Sequence, residues 1–261
     1  TVTERPAHDV LLQADGIHQG HRHRARGEKK IHLLAPHLAG AGACAYAAIA
    51  LGGAALWLLW PALSLLLVAL NYAVLGAGGF QKRDDGRLST AACWLYAPYL
   101  LGAWLNSRWW TRNAPQPVWV IDEVWLGRVP GRDERDGYAR VIDVSAELPL
   151  RSWRSGDVVR PMLDLVAPSA EQLRQAAIDI ESLRGHGEIL VCCALGYSRS
   201  AAAVAAWLLH SGRAATVDEA IAILRKARPA TVLRDRHRRA LGLMTRAAAT
   251  ARTQVPDGHV A

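Results

Sequence analysis

The segment from Cys193 to Ser200 holds residue types that can do chemistry on an anion. Cys193 and Arg199 flank five residues, Ala-Leu-Gly-Tyr-Ser. A thiolate is a nucleophile, and a guanidinium binds two oxygens of an oxyanion through its planar fork. The spacing therefore predicts a site that holds a tetrahedral oxyanion against a nucleophilic sulfur. The competing interpretation of Cys193 is an inert cysteine in the core.

The interior of this segment is suited to wrapping its backbone around the anion. Amide N–H groups of such a loop can converge on an anion, and a helix that follows adds its positive end. Gly196 permits backbone angles that a side chain would resist. We expect Cys193 to attack phosphorus and form a phosphocysteine, with Ser200 donating to its sulfur. The predicted phosphate-binding loop comprises Ala194, Leu195, Gly196, Tyr197 and Ser198.

A strand must enter this loop and a helix must leave it. Residues 189–192 are an apolar run typical of a buried strand, and the alanine-rich run 199–209 predicts a helix. The remaining strand candidates are 118–121, 124–126, 141–144 and 162–165, and the other helices are predicted over 169–184, 216–227 and 234–252. Alternating strands and helices predict an α/β fold with a mostly parallel central sheet flanked by helices.

Residues 193–200 resemble the signature of the cysteine-dependent protein tyrosine phosphatases, and 196–200 are especially similar to the dual-specificity branch. Residues 124–127 resemble the first strand of that domain and 141–144 its next core strand. The resemblance covers about residues 117 to 245. It implies a dual-specificity phosphatase-like fold and a phosphatase activity that uses neither a metal nor a cofactor.

The resemblance also points to a general acid. In the family this is an aspartate on a loop roughly thirty residues before the cysteine, and Asp164 lies 29 residues before Cys193. Asp164 would protonate the leaving oxygen and then activate water, the alternative being an aspartate that caps the next helix. Asp157 is a competitor, although its Ser-Gly neighbours indicate a surface turn. Asp143 lies inside a predicted strand, which favours a structural role.

Cys192 departs from the family pattern, which has a histidine directly before the nucleophile. That histidine organises the loop and tunes the thiolate. Its absence favours, as an alternative function, a catalytically inactive phosphate-binding module. Cys192 is interpreted as a small buried hydrophobe, since a redox partnership with its neighbour Cys193 is geometrically awkward. Rhodanese-like sulfur carriers and arsenate reductases share the anion cradle, but the Ser-Arg-Ser sequence and Asp164 argue against both.

The first part of the chain contains two long runs without charge. Residues 38–60 and 61–80 hold no charged side chain, and a helix needs ~20 residues to cross a bilayer. Trp57, Trp60 and Pro61 suit a turn at an interface between them. We therefore predict a transmembrane hairpin, the alternative being a buried helical pair of a soluble protein.

A third uncharged run, 88–107, is interrupted by Pro98 and crowded by aromatic residues. It could span, re-enter or lie in the interface. Basic residues before and after the hairpin favour a cytoplasmic location for both of its ends. The third run would then be interfacial or re-entrant, and the catalytic domain would be cytoplasmic. If the third run spans, that domain lies outside. The basic residues are Arg22, Arg24, Arg26, Lys29 and Lys30, then Lys82, Arg83 and Arg87.

These patterns predict a basic tail over 1–30, a membrane region over 31–112 and a catalytic domain over 113–255. The combination resembles bacterial membrane proteins that fuse a lipid-phosphatase-like membrane region to a dual-specificity phosphatase. That likeness implies a bacterial inner-membrane protein, although this chain has no evident lipid-phosphatase motif. The first residue, Thr1, fits a processed form or a fragment.

Composition narrows the partners. The net charge of +8 suits anionic lipid or nucleic acid, but the tryptophans cluster in the membrane region and not among the arginines, so no nucleic-acid partner is expected. The loop interior has no lysine or second arginine, so we expect one phosphate on a phosphoprotein or a lipid. The basic stretch 234–252 could lie along anionic lipid or be an ordinary solvated face. Four cysteines without disulfide or zinc spacing fit a reducing compartment.

Overall fold

A computed structural model describes residues 32–253, with side chains to residue 247. The predicted basic tail 1–30 and the last two residues of the predicted catalytic domain lie outside the described residues. The chain divides into two compact units between Leu75 and Gly76. The second unit thus includes residues 76–112 as well as the sheet, and the boundary at residue 113 stays a prediction.

Two apolar helical runs open the described chain. Helix α1 spans His32–Leu51, and a second run spans Gly53–Phe80, within which Leu59–Leu70 forms the regular α-helix α2. Both are long and apolar enough to cross a membrane. The break falls at Gly52 and Gly53, whose φ angles of 61° and 52° favour glycine. It does not fall at Trp57–Pro61 as predicted, because Pro61 fits in the first turn of α2, where N–H groups lack helical partners anyway.

The third uncharged run forms two short helices, α3 at Thr90–Leu95 and α4 at Ala97–Trp110. Tyr96 separates them with non-helical angles, and Pro98 lies in the first turn of α4. The 14 residues of α4 rise ~21 Å. This is short of the ~30 Å hydrocarbon core of a bilayer. Both helices belong to the second compact unit, together with the sheet.

The second unit is built on a five-stranded sheet with the order β1-β2-β5-β3-β4. Its strands are β1 Val118–Ile121, β2 Val124–Arg128, β3 Arg140–Ser145, β4 Val158–Met162 and β5 Ile189–Cys193. Only the β1–β2 pair is antiparallel, so the predicted α/β fold is confirmed. Strand β4 was misplaced: it ends at Met162 because the chain turns there, with Leu165 at a φ of 56°, and Pro161 is tolerated on an edge strand.

Helices cover this sheet. They are α5 Arg132–Arg135, α6 Ala170–Leu183, α7 Arg199–His210, α8 Val217–Ala227 and α9 Asp235–Thr253. The hydroxyl of Ser169 accepts from the N–H of Gln172 and that of Thr216 from the N–H of Glu219, which fixes the starts of α6 and α8. Helix α7 is buried from Arg199 to Leu208. Its alanines allow β5, α6, α8 and α9 to pack closely around it.

Lys82 ties the segment after the apolar helices to the sheet. Its fully buried Nζ donates to Asp143 Oδ2 at 2.6 Å and to the carbonyls of Ser145 and Leu148 at 2.7 and 2.6 Å. A buried ammonium needs such a set of acceptors to offset its lost hydration. In the sequence, Lys82 is one of the charges that orient the predicted hairpin. Because its side chain is buried, Lys82 does not support that orientation. Arg83 and Arg87 remain exposed.

Candidate active site

Cys193 lies at the carboxyl end of β5, between β2 and β3 in the middle of the sheet. Its side chain is buried, and two donors are directed at the sulfur. The N–H of Gly196 lies 3.3 Å from Sγ, and Ser200 Oγ donates to Sγ at 3.2 Å. Donors on both sides stabilise negative charge on sulfur. The structure thus brings the predicted nucleophile and Ser200 into contact across the loop.

The loop passes very close to strand β2. Gly196 has a φ of 74°, and a Cβ added there would lie 2.4 Å from the carbonyl carbon of Gly127 and 2.6 Å from its oxygen. Both atoms belong to backbone, which cannot rotate away as a flexible side chain can. Position 196 therefore requires glycine for its backbone angles and for the lack of space, and the loop is held against β2.

Arg199 opens α7 with its guanidinium buried behind the loop. Nη1 and Nη2 donate to the two carboxylate oxygens of Glu147 at 2.7 and 2.6 Å, and Nη1 also donates to Met162 O at 2.9 Å. Nε has no hydrogen-bond partner among the described residues. Burial opposes the charged form, but Glu147 and then Asp164 raise the pKa of Arg199 well above its ordinary value. The arginine is therefore a fixed cation with one buried N–H still available.

Glu147 is a member of this site that sequence reasoning missed. It is buried in the segment after β3. Burial acts to raise its pKa, but Arg199 and, more weakly, Lys82 hold the pKa of Glu147 below its ordinary value. Lys82 also binds the carbonyls of Ser145 and Leu148 on either side. The sequence did carry a signal for Glu147, because it is a lone carboxylate just after a buried parallel strand. Binding sites of α/β proteins commonly form at the carboxyl ends of such strands.

Asp164 lies in the turn after β4, with its side chain 36% exposed. Its Oδ1 is 3.5 Å from Arg199 Nε, so it faces the side of the guanidinium that Glu147 leaves open. Asp157 is buried, not in a surface turn, and accepts from Arg135 Nη2 at 2.7 Å. Asp143 binds Lys82. Among these three aspartates, Asp164 is the one with an ion-pair contact to Arg199 within 4 Å in the described structure.

His237 reaches the loop from α9. Its Nδ1 accepts the N–H of Arg234 at 3.1 Å, so the ring proton lies on Nε2, which is 3.2 Å from Ser198 Oγ and donates to it. Burial first, and Arg236 second, lower the pKa of His237 to about 4, which leaves the ring neutral. This contact restrains the residue directly before Arg199. The sequence carried no signal for it, because α9 lies about forty residues further along the chain.

Cys192 is buried on the opposite face of β5. Burial, and then the charge of Asp143, raises the pKa of Cys192 well above its ordinary value, so its thiol is neutral. Because consecutive strand residues point to opposite faces, Cys192 packs with Leu148, Leu150 and Leu190 and away from the sulfur of Cys193.

The last turn of α4 supports the loop from outside. Ser107 is buried, and its Oγ donates to Ala194 O at 2.5 Å. Tyr197 Oη donates to Trp110 O at 3.4 Å, and Arg228 lies 4.8 Å over the Tyr197 ring. Of the remaining loop positions, Leu195 is half-buried. A segment that we had assigned to the membrane region thus contacts the first and fourth residues after Cys193.

Residues 142–247 match a family described as dual specificity phosphatase, catalytic domain. The match spans less than half of the chain and begins inside β3. The predicted resemblance to dual-specificity phosphatases is confirmed, and the chain carries the catalytic domain of a cysteine-dependent phosphatase. The membrane-anchored bacterial type stays a prediction. The matched residues include β5, the loop and Asp164.

Solved structures of phosphatases are similar to about half of this chain. Tk-PTP in its active form is 28% identical with a TM-score of 0.46, over 51% of this chain and 98% of that one. Human DUSP28 is 22% identical with a TM-score of 0.45, over 51% and 99%. PTPMT1 is 20% identical with a TM-score of 0.43, over 52% and 98%. Among curated proteins, none matches the chain by sequence.

Gly196→Ala tests the close approach of the loop to β2. The added Cβ must displace the loop from the Gly127 backbone. We expect kcat/KM for an aryl phosphate to fall on the order of 100-fold, as a misplacement of about 1 Å can cause. The matched control is Gly212→Ala, which has a φ of 75° but open space around the new Cβ, and which should cost only about 1 kcal/mol of stability. Equal kcat/KM for the two variants would contradict the assignment.

His237→Gln tests the neutral histidine behind Ser198. The pKa of His237 is about 4 in the folded protein, against ~6.5 in an unfolded chain. As the pH falls, the unfolded state therefore takes up a proton before the folded state does. The contribution of His237 to the free energy of unfolding is present above pH ~6.5 and is lost as the pH falls toward about 4. The Tm of the detergent-solubilised protein should fall more steeply between pH 7 and 4.5 than that of the variant. His186→Gln, at an exposed histidine, should keep the steeper slope, and identical slopes for all three proteins would refute the prediction.

Proposed function

We propose that this chain is a membrane-bound phosphomonoesterase that acts through a phosphocysteine at Cys193. The observation that carries the proposal is the convergence of Gly196 N–H and Ser200 Oγ on the sulfur, in the loop that Arg199 closes. The family match supports a phosphatase. The roles of individual residues below are inferred from their positions.

In the first step the phosphate dianion is held by the loop amides and by the free Nε of Arg199. Arg199 stays in place because Glu147 binds both of its Nη atoms. The Cys193 thiolate attacks phosphorus, the S–P bond forms and the bond from phosphorus to the ester oxygen breaks. Asp164 gives its proton to that oxygen, which leaves as an alcohol or phenol.

In the second step a water molecule takes the place of the leaving group. Asp164, now a carboxylate, accepts a proton from this water as the water oxygen attacks phosphorus. The S–P bond breaks, inorganic phosphate is released, and the electron pair returns to Cys193. Ser200 Oγ and the N–H of Gly196 stabilise the departing thiolate, which regenerates the enzyme.

The attachment to a membrane is supported by the two apolar helical runs. Side chains such as Tyr46, Ile49 and Trp57 are about three-quarters exposed in the described structure. A large apolar surface of this kind is favourable in lipid and unfavourable in water. We propose a phosphoprotein or a lipid phosphate as the substrate, since both are accessible to an enzyme held at a bilayer. A cytoplasmic catalytic domain remains a prediction.

Cys193→Ser and Asp164→Asn test the chemical roles. The serine variant should lose turnover of p-nitrophenyl phosphate to the background rate, because a hydroxyl is a poor nucleophile at neutral pH. The asparagine variant should lower kcat for phenyl phosphate about 10²–10⁴-fold, the usual contribution of a general acid and base. The loss of kcat in Asp164→Asn should be smaller with p-nitrophenyl phosphate, because its leaving group needs less protonation. The decline of kcat at high pH should also disappear in Asp164→Asn.

Cys93→Ser and Asp133→Asn, at exposed positions, are the matched controls and should retain wild-type kcat. Turnover by Cys193→Ser would refute the nucleophile, and equal losses on both substrates would refute Asp164 as the acid. Wild-type protein that binds vanadate without any turnover would instead favour the inactive phosphate-binding module.

Membrane attachment predicts the behaviour of the full chain on fractionation. After expression in bacteria, the protein should stay in the membrane pellet through an alkaline carbonate wash, because apolar helices of 20 and 28 residues are held by the hydrocarbon core. Dodecyl maltoside should release it with phosphatase activity. Release by carbonate alone would contradict the proposal.

A further inference from the structure

A groove of about 700 Å³ runs between helices α3 and α4 and two loops of the phosphatase domain. One wall is apolar and comes from the helices, and the other is formed by the turn after β2 and the segment before β4. The lining residues are Cys93, Ala97, Leu100, Leu101, Trp104, Arg108, Val129, Pro130, Gly131, Arg132, Leu148, Pro149 and Arg151. The volume lies within the range of small-molecule sites.

All of the charged residues that line this groove are basic. Arg108, Arg132 and Arg151 contribute guanidinium groups, and none of the lining residues is acidic. Arg108 Nη1 is buried without a hydrogen-bond partner, and its Nη2 makes one long bond of 3.4 Å to Val129 O. The neighbouring carboxylate of Glu134 is bound by Arg128 at 2.8 Å and by the N–H of Gly131. An anion in the groove would therefore meet three basic residues and no competing carboxylate in the lining.

The apolar end of the groove continues onto an exposed face of α3 and α4. Trp94, Leu101 and Trp109 are 68%, 60% and 63% exposed, and Arg112 stacks over Trp109 at 4.1 Å. Tryptophan beside arginine is typical of segments at the level of lipid headgroups. Only nine residues separate the apolar run, which ends at Phe80, from Thr90, the first residue of α3.

We propose that this groove binds an anionic phospholipid of the bilayer, with the headgroup phosphate at Arg108 and Arg132 and part of an acyl chain along Leu100 and Leu101. The proposal rests on the membrane attachment proposed above. The proposal is based on the apolar wall and the cationic end of the groove. These two features are complementary to the acyl chain and the anionic headgroup of such a lipid. The site is separate from the phosphate-binding loop and does not require turnover.

The groove is connected to the catalytic loop through two hydrogen bonds to backbone carbonyls. Val129, in its wall, donates its N–H to Cys193 O at 2.8 Å. Ser107, next to Arg108, donates to Ala194 O. A bound lipid would thus order two segments that hold the start of the loop. We expect anionic lipid to raise kcat for a soluble aryl phosphate in wild-type protein.

Photo-crosslinking of lipid to the full chain tests the site directly. The protein is placed in nanodiscs of phosphatidylcholine that contain a small fraction of either phosphatidylglycerol or phosphatidylcholine with a diazirine in the acyl chain. Mass spectrometry should locate phosphatidylglycerol adducts on residues 93–104, at least fivefold above those of phosphatidylcholine. Arg108→Gln/Arg132→Gln should remove this preference. Arg225→Gln/Lys226→Gln, which removes two exposed charges of α8, should keep it.

A second variant guards against a loss of folding. Leu100→Trp keeps every charge and obstructs the apolar wall, so it should also reduce the adducts while far-UV circular dichroism stays unchanged. Equal labelling by the two lipids, or labelling that survives both groove variants, would overturn the lipid site. A protein that fails to remain in carbonate-washed membranes would instead contradict the membrane attachment. Loss of turnover without loss of labelling would concern the catalytic proposal alone.

Discussion

The buried charge of Arg199 is the constraint on which the geometry of this site depends. A guanidinium inside a protein is stable only when carboxylates and carbonyls replace its water. Glu147 binds both Nη atoms, and that places the segment after β3 beside the catalytic loop. Lys82 then binds carbonyls on both sides of Glu147. The consequence is a guanidinium whose Nε alone is left to face an incoming phosphate and Asp164.

Close packing of backbone makes this arrangement possible. Gly196 and Gly127 come so near to each other that a side chain at position 196 would force the loop or β2 to shift. The alanines of α7 let the helix lie between the sheet and three other helices, so its first turn is rigidly placed under the loop. His237 and Ser107 add hydrogen bonds to the loop from α9 and α4. A phosphate-binding loop that is preorganised in this way needs little rearrangement when charge develops.

The helices before the sheet link the phosphatase domain to its proposed surroundings. Helix α4 is too short to span a bilayer, and its last turn contacts the catalytic loop while its exposed face carries tryptophans. One element thus provides both a support for Ala194 and a surface suited to lipid. This arrangement gives a physical route by which the state of a membrane would influence the position of the nucleophile.

Local features of the fold could be predicted from the sequence. The apolar run of β5, the loop from Cys193 to Arg199 and the capped starts of α6 and α8 were predicted because each depends on neighbouring residues. The break at Gly52, the end of β4 and the roles of Glu147, His237, Ser107 and Lys82 were missed. The contacts of Glu147, His237, Ser107 and Lys82 join residues far apart in the chain, so no local pattern encodes them. They become visible only when the chain is folded. The physical reason is burial, because Arg199, Lys82 and Glu147 can be buried only where distant segments supply their hydrogen-bond and ion-pair partners.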